Sequence, residues 1–194
     1  MADLHETASQ TAGPYVHIGC MPNAAGIAGV YPDDLGVQMV RADTPGQHIT
    51  VSGHIYDGTG AAVKDALVEV WQADADGNYP EDGTGFTGWG RTASDPDTGL
   101  WHFETIKPGP VTHGEGLAMA PHLTLWIAAR GINIGLHTRM YFPEDTDAHA
   151  TDPVLARIKQ PLRSDTLIAS PQGEAAYNFN IHLQGLGETV FFDV

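Results

Sequence analysis

The chain has 194 residues, enough for a sizeable core, with the apolar content of an ordinary soluble protein. It sets 24 acidic residues against 9 lysines and arginines, for a formal charge of -15, which argues against nucleic-acid and anionic-membrane partners. Cys20 is the single cysteine, so an internal disulfide is ruled out and a reducing compartment is expected.

Residues 1–47 hold little periodicity and are expected to form an irregular N-terminal arm. Residues 1–7 lack a basic start and an apolar stretch, so no secretory signal is expected and a cytoplasmic location is. Within the arm, Thr11-Ala12-Gly13-Pro14-Tyr15 reads either as a β-turn entering a strand or as a segment presenting Thr, Tyr and backbone to a ligand. His48–Tyr56 alternates around Ile49, Val51 and Ile55 and predicts a strand, closed by an Asp57-Gly58-Thr59-Gly60 turn. Leu67–Trp71 is the next strand. Asp74-Ala75-Asp76-Gly77-Asn78 invites a calcium loop, but positions six and twelve are Tyr79 and Gly85, so it reads as a turn. Residues 78–90 are an irregular loop. Strands follow at 101–105, 123–129 and 138–142, and a helix at 152–159, with Asp152 as its cap and Pro153 at its first position. Strands at 176–183 and 189–194 close the chain. The fold class is all-β: one domain over 1–194, in which residues 48–194 form a two-sheet β-sandwich with long loops and one or two short helices.

No serine-protease order, phosphate-binding glycine loop or cysteine pair occurs. The 10 histidines are scattered, with His113 and His122 the nearest approach to a ligand pair. On a strand, residues two apart share a face, so a His-x-His pair can hold one ion jointly. After His122 the second place is Thr124. Arg130 ends an apolar strand, and a half-buried arginine there needs an anionic or planar partner. An internal carboxylate and a ligand carboxylate are both open.

Six stretches carry a resemblance: residues 9–19, Glu69-Val70-Trp71-Gln72-Ala73-Asp74, Gly88-Trp89-Gly90-Arg91-Thr92, Thr105-Ile106-Lys107-Pro108-Gly109, residues 129–141 and residues 187–193. Together they resemble the intradiol ring-cleavage dioxygenases over nearly the whole chain. Iron-bearing members of that family hold Fe(III) with two tyrosines and two histidines. The resemblance carries those places onto Tyr79, Val111, His122 and Thr124, and a preceding basic residue onto Met119. Two of the four ligand types survive, so the resemblance implies that this chain binds no iron, with Tyr79 and His122 left as relics held by packing. It further implies a partner beta subunit bearing the Fe(III). This chain would then supply Thr11, Gly13, Pro14, Tyr15 and Arg130 as the pocket wall for a small catechol carrying a carboxylate, with O2 as co-substrate. Two other readings stay open: a non-catalytic binding module that keeps only the scaffold, and a self-sufficient iron enzyme with unusual ligands.

Overall fold

The computed structural model describes residues 10–80, 85–113 and 116–193. The readings of residues 1–7 and Ser9, part of the 78–90 loop, the side chain of His113 and the closing Val194 fall outside them. The strands are His48–Tyr56 (β1), Leu67–Trp71 (β2), Trp89–Ala93 (β3), Leu100–Ile106 (β4), Val111–His113 (β5), Leu117–Met119 (β6), His122–Ala128 (β7), Leu136–Tyr141 (β8), Ser170–Pro171 (β9), Ala176–Asn178 (β10) and Ile181–His182 (β11). Short α-helices span Pro14–Cys20 (α1), Thr146–His149 (α2) and Pro161–Ser164 (α3).

Alternation in β1 buries Ile49, Val51 and Ile55 on one face, and its antiparallel neighbour β4 adds Trp101 and Phe103. On the other side of β1 run β10 and β11, both parallel to it, with β9 pairing β10. The second sheet is antiparallel throughout, in the order β3-β2-β7-β8. Its inner face supplies Val68, Val70, Leu123, Leu125, Ile127 and Met140 to the same core. The two sheets therefore make the expected sandwich. Gln72, almost fully buried just beyond β2, ties them together. Its Oε1 accepts from the Thr105 hydroxyl at 2.6 Å, and its Nε2 donates to the Ile106 carbonyl at 2.9 Å. Among the described residues no helix is long and apolar enough to cross a membrane.

Four expectations need correction. The Gly13-Pro14 segment opens helix α1, not a strand, because Gly13 is extended and Pro14 is preset for the first helical position. The strand expected at 176–183 is two. Phe179 tucks inward between them, where a Cβ on Gly53 would collide with its carbonyl. The helix expected at 152–159 is one 3-10 turn, Leu155–Arg157. Asp152 caps it as read, its Oδ1 accepting from the Val154 and Leu155 amides at 2.7 and 2.8 Å. Ile158 then turns extended, and Pro161 starts a separate helix. The last expected strand reduces to an isolated bridge between Phe192 and His137. Strand β3, read only as the end of a loop, was missed.

Candidate functional site

Of the four ligand places that the resemblance carries over, His122 and Thr124 lie on β7 of the second sheet, Val111 on the β5–β6 hairpin and Tyr79 in the loop beyond β2. Alternation along β7 puts His122 and Thr124 on the same face, as read. His122 is buried, and its Nδ1 lies 2.7 Å from the Ala120 carbonyl, where it donates. Burial first, and then the nearby Arg139 cation, push its pKa down to about 4, so the ring is neutral near pH 7. Its ring lies 5.7 Å from Tyr141, whose phenol burial pushes up to about 12. Packing does hold His122. Tyr79 is different: its ring is 47% exposed, beyond a turn closed by Asp74 Oδ1 on the Asp76 and Asn78 amides. The expectation that packing holds Tyr79 is therefore corrected.

Val111 is buried in β5 opposite Met119. Thr124 faces Arg139 across the β7–β8 ladder. The Arg139 guanidinium stands 3.4 Å from both Met119 Sδ and Tyr141 Oη. Ferric ion calls for anionic oxygen donors with imidazole. These places offer one buried imidazole, one exposed phenol, a neutral hydroxyl and an aliphatic chain, with a guanidinium charge beside them. The donor set does not fit ferric ion, and the guanidinium repels any cation. Among the described residues no group of three or more His, Cys, Asp or Glu could hold a metal.

A second site lies at the end of β7. Thr11 Oγ1 accepts from the Gly131 amide at 2.7 Å, pinning the segment before α1 to the turn that carries Arg130. Gly131 has a φ of +87°, a conformation glycine adopts without strain. Arg130 is 68% exposed at its side chain, not half-buried as expected, and its Nε donates to Asp65 Oδ2 in an ion pair. Its terminal nitrogens make no hydrogen bond among the described residues. They overlook a cavity of about 730 Å³ lined by Asp57, Lys64, Asp65, Arg130, Asn133 and Gln184, among others. Gly13 and Pro14 follow Thr11 into α1, and Tyr15 stands 84% exposed on its first turn. The structure thus brings Thr11 against the Arg130 turn, although 118 residues separate Thr11 from Ala129. Sequence reasoning missed Asp65 and Arg139. A carboxylate that distant in sequence gives no local signal for Asp65. For Arg139, the only hint is a charge inside an apolar strand.

A family model described as Dioxygenase matches residues 27–185, most of the chain. The chain belongs to this dioxygenase family, and its sandwich is the intradiol dioxygenase fold. The protocatechuate 3,4-dioxygenase alpha chain of Pseudomonas putida is 48% identical over 196 residues, covering 98% of this chain and 97% of that one. The protocatechuate 3,4-dioxygenase beta chain of Burkholderia cepacia is 35% identical over 175 residues, covering 80% of this chain and 73% of that one. Among solved structures, the dioxygenase domain of a dioxygenase and carbohydrate-binding protein fusion from Streptomyces sp. SirexAA-E matches at 25% identity. Its TM-score is 0.57, over 84% of this chain and 96% of that chain.

Proposed function

We propose that this chain is the iron-free alpha subunit of a protocatechuate 3,4-dioxygenase, working in the cytoplasm beside a beta subunit that bears the iron. The reaction joins 3,4-dihydroxybenzoate and O2. The bond between the two hydroxylated carbons breaks, and both oxygen atoms enter the product, 3-carboxy-cis,cis-muconate. Iron held by the beta subunit supplies the redox chemistry, and this chain supplies pocket wall at the junction. The observation that carries the reading is the Thr11 hydroxyl bound to the Gly131 amide, which fixes the N-terminal segment and Arg130 on one rim.

Each residue then has a task. Arg130 offers its terminal nitrogens to the substrate carboxylate while Asp65 holds Nε. Gly13, Pro14 and the exposed Tyr15 ring form wall that a partner covers. Covering them removes water and strengthens the charge interaction. At an effective dielectric of about 20, a charge pair about 4 Å apart is worth on the order of 4 kcal/mol before desolvation. On a chain of charge -15, a placed guanidinium offsets the repulsion an anionic substrate would otherwise meet.

The test is kinetic. Co-expressed with an iron-bearing beta chain, the wild-type chain forms a pair that consumes O2 when 3,4-dihydroxybenzoate is added. Arg130→Ala lowers kcat/KM roughly tenfold to a hundredfold, mostly through KM, with iron content unchanged. A pair that fails to form, or unaltered kinetic constants in the variant, contradicts the assignment.

A further inference from the structure

The described residues show where each of the 9 lysines and arginines goes. Arg91, Lys107, Arg130 and Arg163 each reach a carboxylate. Arg41, Lys64, Arg157 and Lys159 are exposed and solvated by water. Arg139 is half-buried, and among the described residues no carboxylate comes within ion-pair distance of it. Its two contacts, Met119 Sδ and Tyr141 Oη, are weak neutral acceptors. The buried Asp152 carboxylate acts on the same Tyr141 hydroxyl from beyond ion-pair distance of the guanidinium. Desolvating a guanidinium is expensive unless an anion compensates it.

The surroundings say which anion. One row of residues crosses the outer face of the second sheet: Trp89, Trp71, Thr124 and Arg139 are successive cross-strand partners. Thr124, which carries a hydroxyl, is the cross-strand partner of Arg139. Trp71, one strand further, is 51% exposed and presents indole surface. Neighbouring strands lie about 4.8 Å apart, so the backbones that carry Arg139 and Trp71 are about 10 Å apart on this face. A planar carboxylate meets the fork of an arginine with two parallel hydrogen bonds, and an attached ring can lie against the indole.

We propose that the inherited metal place has become an anion site, in which Arg139, Thr124 and Trp71 bind a small aromatic carboxylate of the benzoate class. The Arg139 guanidinium is the positive charge at this place. This inference rests on the misfit of that donor set, not on the enzyme the chain serves, so it stands or falls separately from the assignment above.

Titration calorimetry of the full chain tests it, with benzoate as probe and neutral benzamide as its isostere. Benzoate binds and benzamide gives no heat. Arg139→Gln weakens benzoate binding by about tenfold or more. Arg41→Ala leaves it unchanged, because that exposed arginine belongs to neither site. Arg139→Lys keeps the charge and loses the fork, so it weakens binding by a smaller factor, and it carries the test should Arg139→Gln not fold. Absence of benzoate heat at millimolar concentration, or equal binding by the Arg139 variants and the wild type, would overturn the proposal.

Discussion

Lys107 ends β4 with its Nζ 2.7 Å from Glu144 and 3.0 Å from Asp145, and 5.0 Å above the Phe142 ring. Glu144 also accepts from the Tyr177 hydroxyl at 2.6 Å. Burial alone would raise the Glu144 pKa, but the bonds from Lys107 and Tyr177 win and hold it below the usual carboxylate value. A carboxyl depressed on folding adds stability above its unfolded pKa of about 4.3, and loses it as pH falls through the lower folded value. The Tm difference between wild type and Lys107→Met should therefore be largest near neutral pH and shrink as acid protonates Glu144. A difference independent of pH would show that Lys107 stabilises through packing alone. The Thr-Ile-Lys-Pro-Gly stretch marked a family in the sequence without revealing this staple, since both carboxylates lie in a distant loop. The gap at Thr124 was legible because alternation along a strand fixes its face. Arg139 opposite it was not, because cross-strand register is not written in either strand alone.

At the scale of elements, strong alternation found β1, β2, β4, β7 and β8. It failed where tertiary contact decides. β3, Trp89-Gly90-Arg91-Thr92-Ala93, has little apolar pattern, and its ladder with β2 is reinforced by the Arg91–Glu69 bridge at 2.6 Å. Helix α1 buries no residue, so it shows no amphipathic stripe to read. The buried Gln72 between the sheets carries the clearest energetic consequence. Gln72→Ala leaves the Thr105 hydroxyl and the Ile106 carbonyl without this partner. The expected cost is about 1–3 kcal/mol, visible as a lower midpoint in urea with an unchanged slope. A variant as stable as the wild type would mean that the two sheets do not depend on this bridge.

For the whole molecule, the decisive relation is between two separated places. One end of the second sheet carries a donor set that does not fit ferric ion, with a guanidinium beside it. At the end of β7, an N-terminal segment and an arginine are tied together over an open cavity. The proposed assignment gives this chain a companion for ring cleavage, and the proteins it is similar to include an alpha and a beta chain of protocatechuate 3,4-dioxygenase from Burkholderia cepacia. The acidic composition argued against polyanionic partners, yet it could not show where the few cations would be spent. Iron per polypeptide, measured on the chain purified alone and on the pair purified with its beta subunit, tests this division most directly. The account predicts a colourless, iron-free chain and one iron for each alpha–beta pair. Stoichiometric iron and ring cleavage by the chain on its own would contradict it.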